Sequence, residues 1–208
     1  MRHTTKLIGL ATAIIAATSC GTASRDSRSP VYIVVNQLAA APGNKPSTFV
    51  GTLSSDVLTI VTSGGVCSLS NPCPTIFGDP GQAVLSISLK NIGSPASPNA
   101  PTSNNAVTIT RYHVQYRRAD GRNTPGVDVP YPFDGAATGT IPPAGTLTLG
   151  FTLVRNVAKE DSPLVQLVNS GVILTTLADV TFYGTDQVGN AISVTGSIQI
   201  DFGNFGDT

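Results

Sequence analysis

Few residues in this chain are of types that do chemistry. Three cysteines (Cys20, Cys67, Cys73), two histidines (His3, His113) and one glutamate (Glu160) are the scarce reactive groups. Cys67 and Cys73 bracket the segment Ser68-Leu69-Ser70-Asn71-Pro72. In an exported chain, two thiols this close are expected to close one loop as a disulfide, worth about 2 kcal/mol on the chain-entropy model. A metal site would need further ligands and His113 is far off in sequence, while redox pairs are more often spaced C-x-x-C. A hydrolytic triad needs a base, and His113 is the single candidate once the N-terminus is set aside. The alternation Tyr112-His113-Val114 turns that imidazole away from the core-facing side chains. Neither G-x-S-x-G nor H-E-x-x-H occurs. Paired carboxylates are open by spacing, but Asp56, Asp79 (in Asp79-Pro80-Gly81), Asp120 and Asp186 stand where turns form, which explains them without catalysis. The expectation is a non-enzymatic protein with no cofactor and no metal.

Binding chemistry has more to work with. Pro130-Tyr131-Pro132-Phe133-Asp134-Gly135 sets two rings between prolines, and Tyr131 and Phe133 are the candidate ligand-binding residues, since stacking rings suit carbohydrate or peptide. The competing reading folds both rings back over the open end of the core. Asp186 and Asn190 offer oxygen ligands for calcium, though not at EF-hand spacing. Arg117, Arg118 and Arg122 make a small basic patch that a solvated strand end explains equally well. With 12 basic and 12 acidic residues and no concentrated basic face, no nucleic-acid partner is expected.

Cys20 belongs to a different context. Arg2, His3 and Lys6 precede the apolar run 7–17, which ends in Ala17-Thr18-Ser19-Cys20. That is the layout of a secretory signal, and the run is short of the roughly 20 apolar residues a bilayer span needs. The segment Ala17-Thr18-Ser19-Cys20 resembles the lipobox of bacterial lipoproteins, departing from its commonest form only at Ala17, where Leu is most frequent. The resemblance implies a signal peptide over residues 1–19, cleavage before Cys20, and lipid on Cys20 that includes a diacylglyceryl group held through the sulfur and an amine-linked fatty acid such as palmitate. Two lipid signals already suffice for stable anchoring. The alternative is an ordinary cleaved signal with Cys20 as a spare thiol. Gly21 follows the cysteine, and resembling inner-membrane lipoproteins carry Asp there, so the outer membrane of a diderm cell is the expected address.

These groups must be positioned by the rest of the chain. Residues 20–30 are small and polar and read as a lipidated tether. Residues 31–208 read as one domain, long enough to bury a core. Only 12% of the chain is charged, against 21 Gly and 15 Pro, and helical surfaces need more Glu, Lys and Arg than that. Strands are expected from Val31, over Thr48–Leu53 and Val57–Val61, and over Ala83–Lys90, where Leu85, Ile87 and Leu89 alternate with polar residues. Residues 91–105 form a long Asn/Ser/Pro/Ala loop. In the following strand, Val107 and Ile109 lie on the opposite parity from Tyr112, Val114 and Tyr116. A bulge near Arg111 would bring both sets to one face. Ala119-Asp120-Gly121 signals a hairpin. Leu147, Leu149, Phe151 and Leu153 alternate in a further strand. One short helix is expected near 162–169, with Asp161 or Ser162 as cap, Pro163 at its first position and Leu164, Leu167 and Val168 on one face. Alternating strands on both sides of 185–190 then make a terminal hairpin.

Seven to nine short strands with one small helix predict an all-β, antiparallel β-sandwich. Residues 111–121 (RYHVQYRRADG) resemble the third strand and following turn of fibronectin type III domains. Residues 183–200 (YGTDQVGNAISVTGSIQI) are similar to the closing hairpin of bacterial immunoglobulin-like domains. The resemblance implies an immunoglobulin-like sandwich, although no Trp is present where fibronectin domains usually bury one. Fold does not fix function. Two functional expectations follow. One is a membrane-anchored cell-envelope lipoprotein, structural or docked on another envelope protein, whose contact with the membrane is the lipid on Cys20. The other is a carbohydrate- or peptide-binding module that uses end loops 91–105 and 122–145.

Overall fold

The computed structural model describes residues 28–206. The signal 1–19, Cys20 and the first residues of the tether lie outside the described residues.

The strands are β1 (Val31–Ala40), β2 (Thr52–Asp56), β3 (Thr59–Val61), β4 (Cys73–Thr75), β5 (Asp79–Leu89), β6 (Gly93–Ser94), β7 (Ser97–Pro98), β8 (Val107–Arg117), β9 (Phe133–Ile141), β10 (Leu147–Val154), β11 (Leu174–Asp186) and β12 (Ala191–Gly203). They form an all-β sandwich. A three-stranded sheet ordered β1-β5-β10 faces a five-stranded sheet ordered β2-β12-β11-β8-β9, and β3-β4 and β6-β7 are small separate hairpins. All pairs in the two main sheets are antiparallel except β2 with β12, which is parallel.

Period-two alternation explains why these segments pair as they do. In β11, Ala178, Val180 and Phe182 are fully buried, as are Ile200 and Phe202 on β12. On β8 the expected bulge is present: the register shifts between Ile109 and Arg111 against β9, and opposite the same residues against β11. Skipping Thr110 puts Val107, Ile109, Tyr112, Val114 and Tyr116 on one buried face. An aromatic chain fills the middle of the core. Phe151 lies 5.2 Å from Tyr112 and 5.4 Å from Phe182, and Tyr112 meets Phe133 edge-on at 6.1 Å.

Where β10 bulges, between Thr152 and Val154, the five-stranded sheet supplies the missing backbone partners. Thr152 pairs with Pro80, which has no N–H, and its own N–H donates to the Tyr112 hydroxyl at 3.1 Å. The Tyr116 hydroxyl donates to the Leu153 carbonyl at 2.7 Å. Burial pushes the Tyr116 phenol far above its ordinary pKa, so it stays a donor. Two tyrosines four residues apart on β8 thus tie the sheets together.

Four local expectations differ from the structure. The strand expected at Thr48–Leu53 is displaced to Thr52–Asp56. Asp120-Gly121 closes a local turn rather than a tight hairpin, and residues 118–132 intervene before β9. The helical expectation at 162–169 is met by a single 3-10 turn, Leu164–Leu167, with Leu164 and Leu167 buried, while the α-helix, α1, is Asn156–Glu160. Asp79-Pro80-Gly81 is the start of β5, buried at Asp79, because a partner distant in sequence holds it there.

Candidate functional site

Strand directions sort the loops into two ends. At one end Val31 pairs with Leu89 on the three-stranded sheet, and Val107 pairs with Ile141 and Asp186 on the five-stranded sheet. Loop 91–105, loop 142–146 and the turn 187–190 gather there, and Gln187 Nε2 donates to the Ala106 carbonyl at 3.5 Å. At the other end lie the β3-β4 hairpin, loop 118–132 and the connection 155–173. Residues 122–132 therefore lie at the opposite end from loop 91–105, and only 142–145 come beside it, so 91–105 and 122–145 do not form one site. Much of 122–145 is the strand β9.

Tyr131 and Phe133 are not brought together as a platform. Phe133 begins β9, is 7% exposed and packs into the core, with the Arg155 guanidinium stacked 4.4 Å from its ring centroid. Tyr131 is 54% exposed and its ring lies over Gly126, where it leaves no room for a side chain and where the positive φ also favours glycine. Phe133 is fixed inward as the first residue of β9, whereas Tyr131 belongs to the loop before it.

Cys67 and Cys73 form the expected disulfide, with Cα atoms 5.5 Å apart, at the base of the loop that β3 and β4 carry. Val66 and Leu69 in that loop are 84% and 87% exposed.

His113 faces outward from β8, half-buried, with Nδ1 3.3 Å from Asp134 Oδ1. Arg111 shares that carboxylate at 3.3 Å and stacks 3.7 Å from the Tyr183 ring centroid. No hydroxyl or thiol joins His113 and Asp134 among the described residues, so the pair lacks the nucleophile of a triad. The arginines of the sequence patch are paired. Arg117 binds Asp179 at 2.6 Å, and Arg118 and Arg122 both bind Asp120, at 2.7 and 3.0 Å. Hydrogen bonds from Arg118 and Arg122 hold the Asp120 carboxyl down to about 2. Partial burial raises the Asp179 carboxyl, but Arg117 and Ser197 outweigh it and the net shift is downward. Beside these groups an open depression of about 310 Å³ is lined by Arg118, Ala119, Asp120, Thr175, Thr176, Leu177 and Gln199. Asp186, considered for calcium, accepts from the backbone N–H groups of Val188 and Asn190 and from the Asn190 amide. Its oxygens organise the turn.

One cluster escaped sequence reasoning altogether. Lys159 of α1 and Asp79 of β5 form an ion pair at 2.9 Å, each side chain 1% exposed. Ser55 donates to the same Asp79 oxygen at 2.5 Å, the Gly43 N–H donates to the other at 2.8 Å, and Lys159 also donates to the Asp56 carbonyl at 2.8 Å. Burial pushes the Asp79 carboxyl up, with the Lys159 ammonium the largest opposing influence. The pair pins α1 onto the seam where β2 ends and β5 begins. The signal available in the sequence was a lone lysine in the apolar-polar stretch Asn156–Glu160 of a lysine-poor chain, and its partner carried a turn signature.

No protein-family model matches the chain, and no curated protein or solved structure matches it.

Proposed function

We propose that the protein is a lipid-anchored cell-envelope protein whose sandwich serves a non-catalytic, structural or docking role. The observation that carries this reading is the segment from Leu7 to Cys20, which joins a secretory signal to an acylation-type cysteine directly before a short polar tether. The disulfide supports export, because such bonds persist in oxidising compartments. The arrangement of polar groups supports a non-catalytic role: Arg117 is paired with Asp179, Arg118 and Arg122 share Asp120, and the buried pair holds a helix to the sheets. We take the sandwich to be immunoglobulin-like. Support comes from the order β1-β5-β10 against β2-β12-β11-β8-β9, the first two strands divided between the sheets, and the closing β11-β12 hairpin.

The test compares the full chain with Cys20→Ser in a bacterial host. Wild type is expected in the detergent-soluble membrane fraction with a mass increased by its acyl chains, and the variant in the aqueous fraction. A variant that still partitions into detergent with the wild-type mass sinks the lipoprotein reading.

A further inference from the structure

We propose that the end of the sandwich formed by loop 91–105, loop 142–146 and turn 187–190 rests on the lipid surface, leaving the end with the disulfide hairpin pointing away from it. This inference rests on the anchor reading above and specifies how the anchored domain is oriented.

The first observation is where the chain enters the fold. Ser29 is 1% exposed, its hydroxyl accepts from the Val31 N–H at 3.5 Å, and it hydrogen-bonds Asp186 at the base of the terminal turn. The Lys90 N–H donates to the Pro30 carbonyl at 2.9 Å. The entry point is thereby fixed among the loops of this end. From Cys20 to Ser29 the covalent chain reaches at most about 30 Å. The 13-residue strands β11 and β12 extend about 40 Å in the other direction.

The second observation is charge, which is independent of the first. Residues 91–105, 142–146 and 187–190 contain no Asp, Glu, Lys or Arg. At the opposite end, loop 118–132 holds Arg118, Asp120, Arg122 and Asp128, and the connection 155–173 holds Arg155, Lys159, Glu160 and Asp161. Charged groups resist entering the headgroup and acyl boundary, whereas neutral loops with isolated aliphatic tips enter it readily. Two such tips are present on these loops, Ile92 at 72% and Val188 at 69% exposure, with Arg28 and Lys90 at their margin, whereas the exposed aliphatics Val127, Val172 and Ile173 of the opposite end stand in or beside segments that carry charge. The occupant that suits a neutral, apolar-tipped end beside a lipid-bearing tether is the bilayer itself. The disulfide hairpin is also uncharged and carries Leu69 at 87% exposure, so it is the site at which the opposite orientation would show.

The experiment uses the full, lipidated chain carrying one of three single substitutions, Ile92→Cys, Val188→Cys or Leu69→Cys. Each new thiol is labelled with an environment-sensitive fluorophore while Cys67 and Cys73 stay oxidised. The protein is reconstituted into phosphatidylethanolamine and phosphatidylglycerol vesicles with and without a nitroxide-bearing lipid. Labels at 92 and 188 are expected to shift to the blue and lose intensity to the nitroxide, and the label at 69 to do neither. Silent labels at 92 and 188, or an equal response at 69, overturn the orientation. Flotation of the same samples separates the two claims. Protein that fails to float with the vesicles refutes the anchor, whereas protein that floats with silent labels refutes the orientation alone.

Discussion

Lys159→Met tests what the buried ion pair contributes. Methionine keeps an unbranched stem of similar length, so the packing of α1 is conserved and the change removes the ammonium. Two interactions go with it, the 2.9 Å contact to Asp79 and the 2.8 Å hydrogen bond to the Asp56 carbonyl. Asp79 stays 1% exposed with only Ser55 and the Gly43 N–H as partners. Removing one member of a buried pair costs about 3–5 kcal/mol, a large share of a typical domain's stability. The loss depends on pH in a definite sense. Burial already holds the folded Asp79 carboxyl above its unfolded value, and the variant loses the main influence pulling it down. A carboxyl with a raised folded pKa binds more protons in the fold than in the unfolded chain. Stability therefore falls as pH rises from the unfolded pKa towards the folded one, and it recovers on acidification. Urea unfolding followed by circular dichroism, at neutral pH and at mildly acidic pH, is expected to show the full cost at the former and a smaller one at the latter. Asp79→Asn combined with Lys159→Met is expected to cost less at neutral pH than Lys159→Met alone. A cost below about 1 kcal/mol, the size of an ordinary surface pair, or one that does not change with pH, refutes the reasoning.

Cys67→Ser with Cys73→Ser is expected to lower stability by about 2 kcal/mol, read as a reduced urea midpoint with an unchanged slope, because the closed loop is short. Tyr116→Phe removes the hydroxyl that satisfies the bulged Leu153 carbonyl and is expected to cost about 1–3 kcal/mol by the same assay, whereas Tyr183→Phe on the outer face is expected to be near neutral. Gly135→Ala would drive a methyl group into the Tyr112 ring, and Gly81→Ala into the Phe151 ring. Each is expected to lower the melting temperature at a cost of about 1–3 kcal/mol, with Gly150→Ala, where no atom lies close, as the control.

The sandwich was legible because its signals are local. Alternation in residues 147–153 and 178–202 needs no knowledge of the partner strand, and the parity change between Ile109 and Tyr112 required a bulge before any pairing was known. The Cys67–Cys73 bond was legible for the same reason, since both partners fall within one short segment. What escaped was set by tertiary context. Asp79-Pro80-Gly81 has the composition of a turn, yet a lysine 80 residues on neutralises the acid and allows it into a strand. Phe133 sits in a proline-framed segment that suggested display, yet β9 begins at that residue and takes its ring inward. Loops 91–105 and 122–145 looked like one binding surface because composition does not report strand direction.

The two ends of the sandwich are held by different means. At the end where Val31 enters, Asp186 and Asn91 organise their own turns by accepting backbone N–H groups within four residues, and the ties between distant segments are single hydrogen bonds such as Gln187 to the Ala106 carbonyl. At the other end the disulfide closes the short loop between β3 and β4 covalently, and longer ties join distant segments: Lys159 ties α1 to Asp79 and the end of β2, and Asn204 reaches the Val168 carbonyl. The costly devices, a buried charge pair and a covalent cross-link, thus sit at the end that lies away from the tether's entry. Locally closed loops can reshape against a surface without disturbing the core, whereas cross-linked ones keep their shape when exposed. In hydrogen exchange of the protein, the N–H groups of Gly43 and of the Thr59–Thr75 hairpin pair are therefore expected to be better protected than those of Val188 and Gly93. Equal protection at the two ends would show that the ion pair and the disulfide do not stiffen the end they occupy.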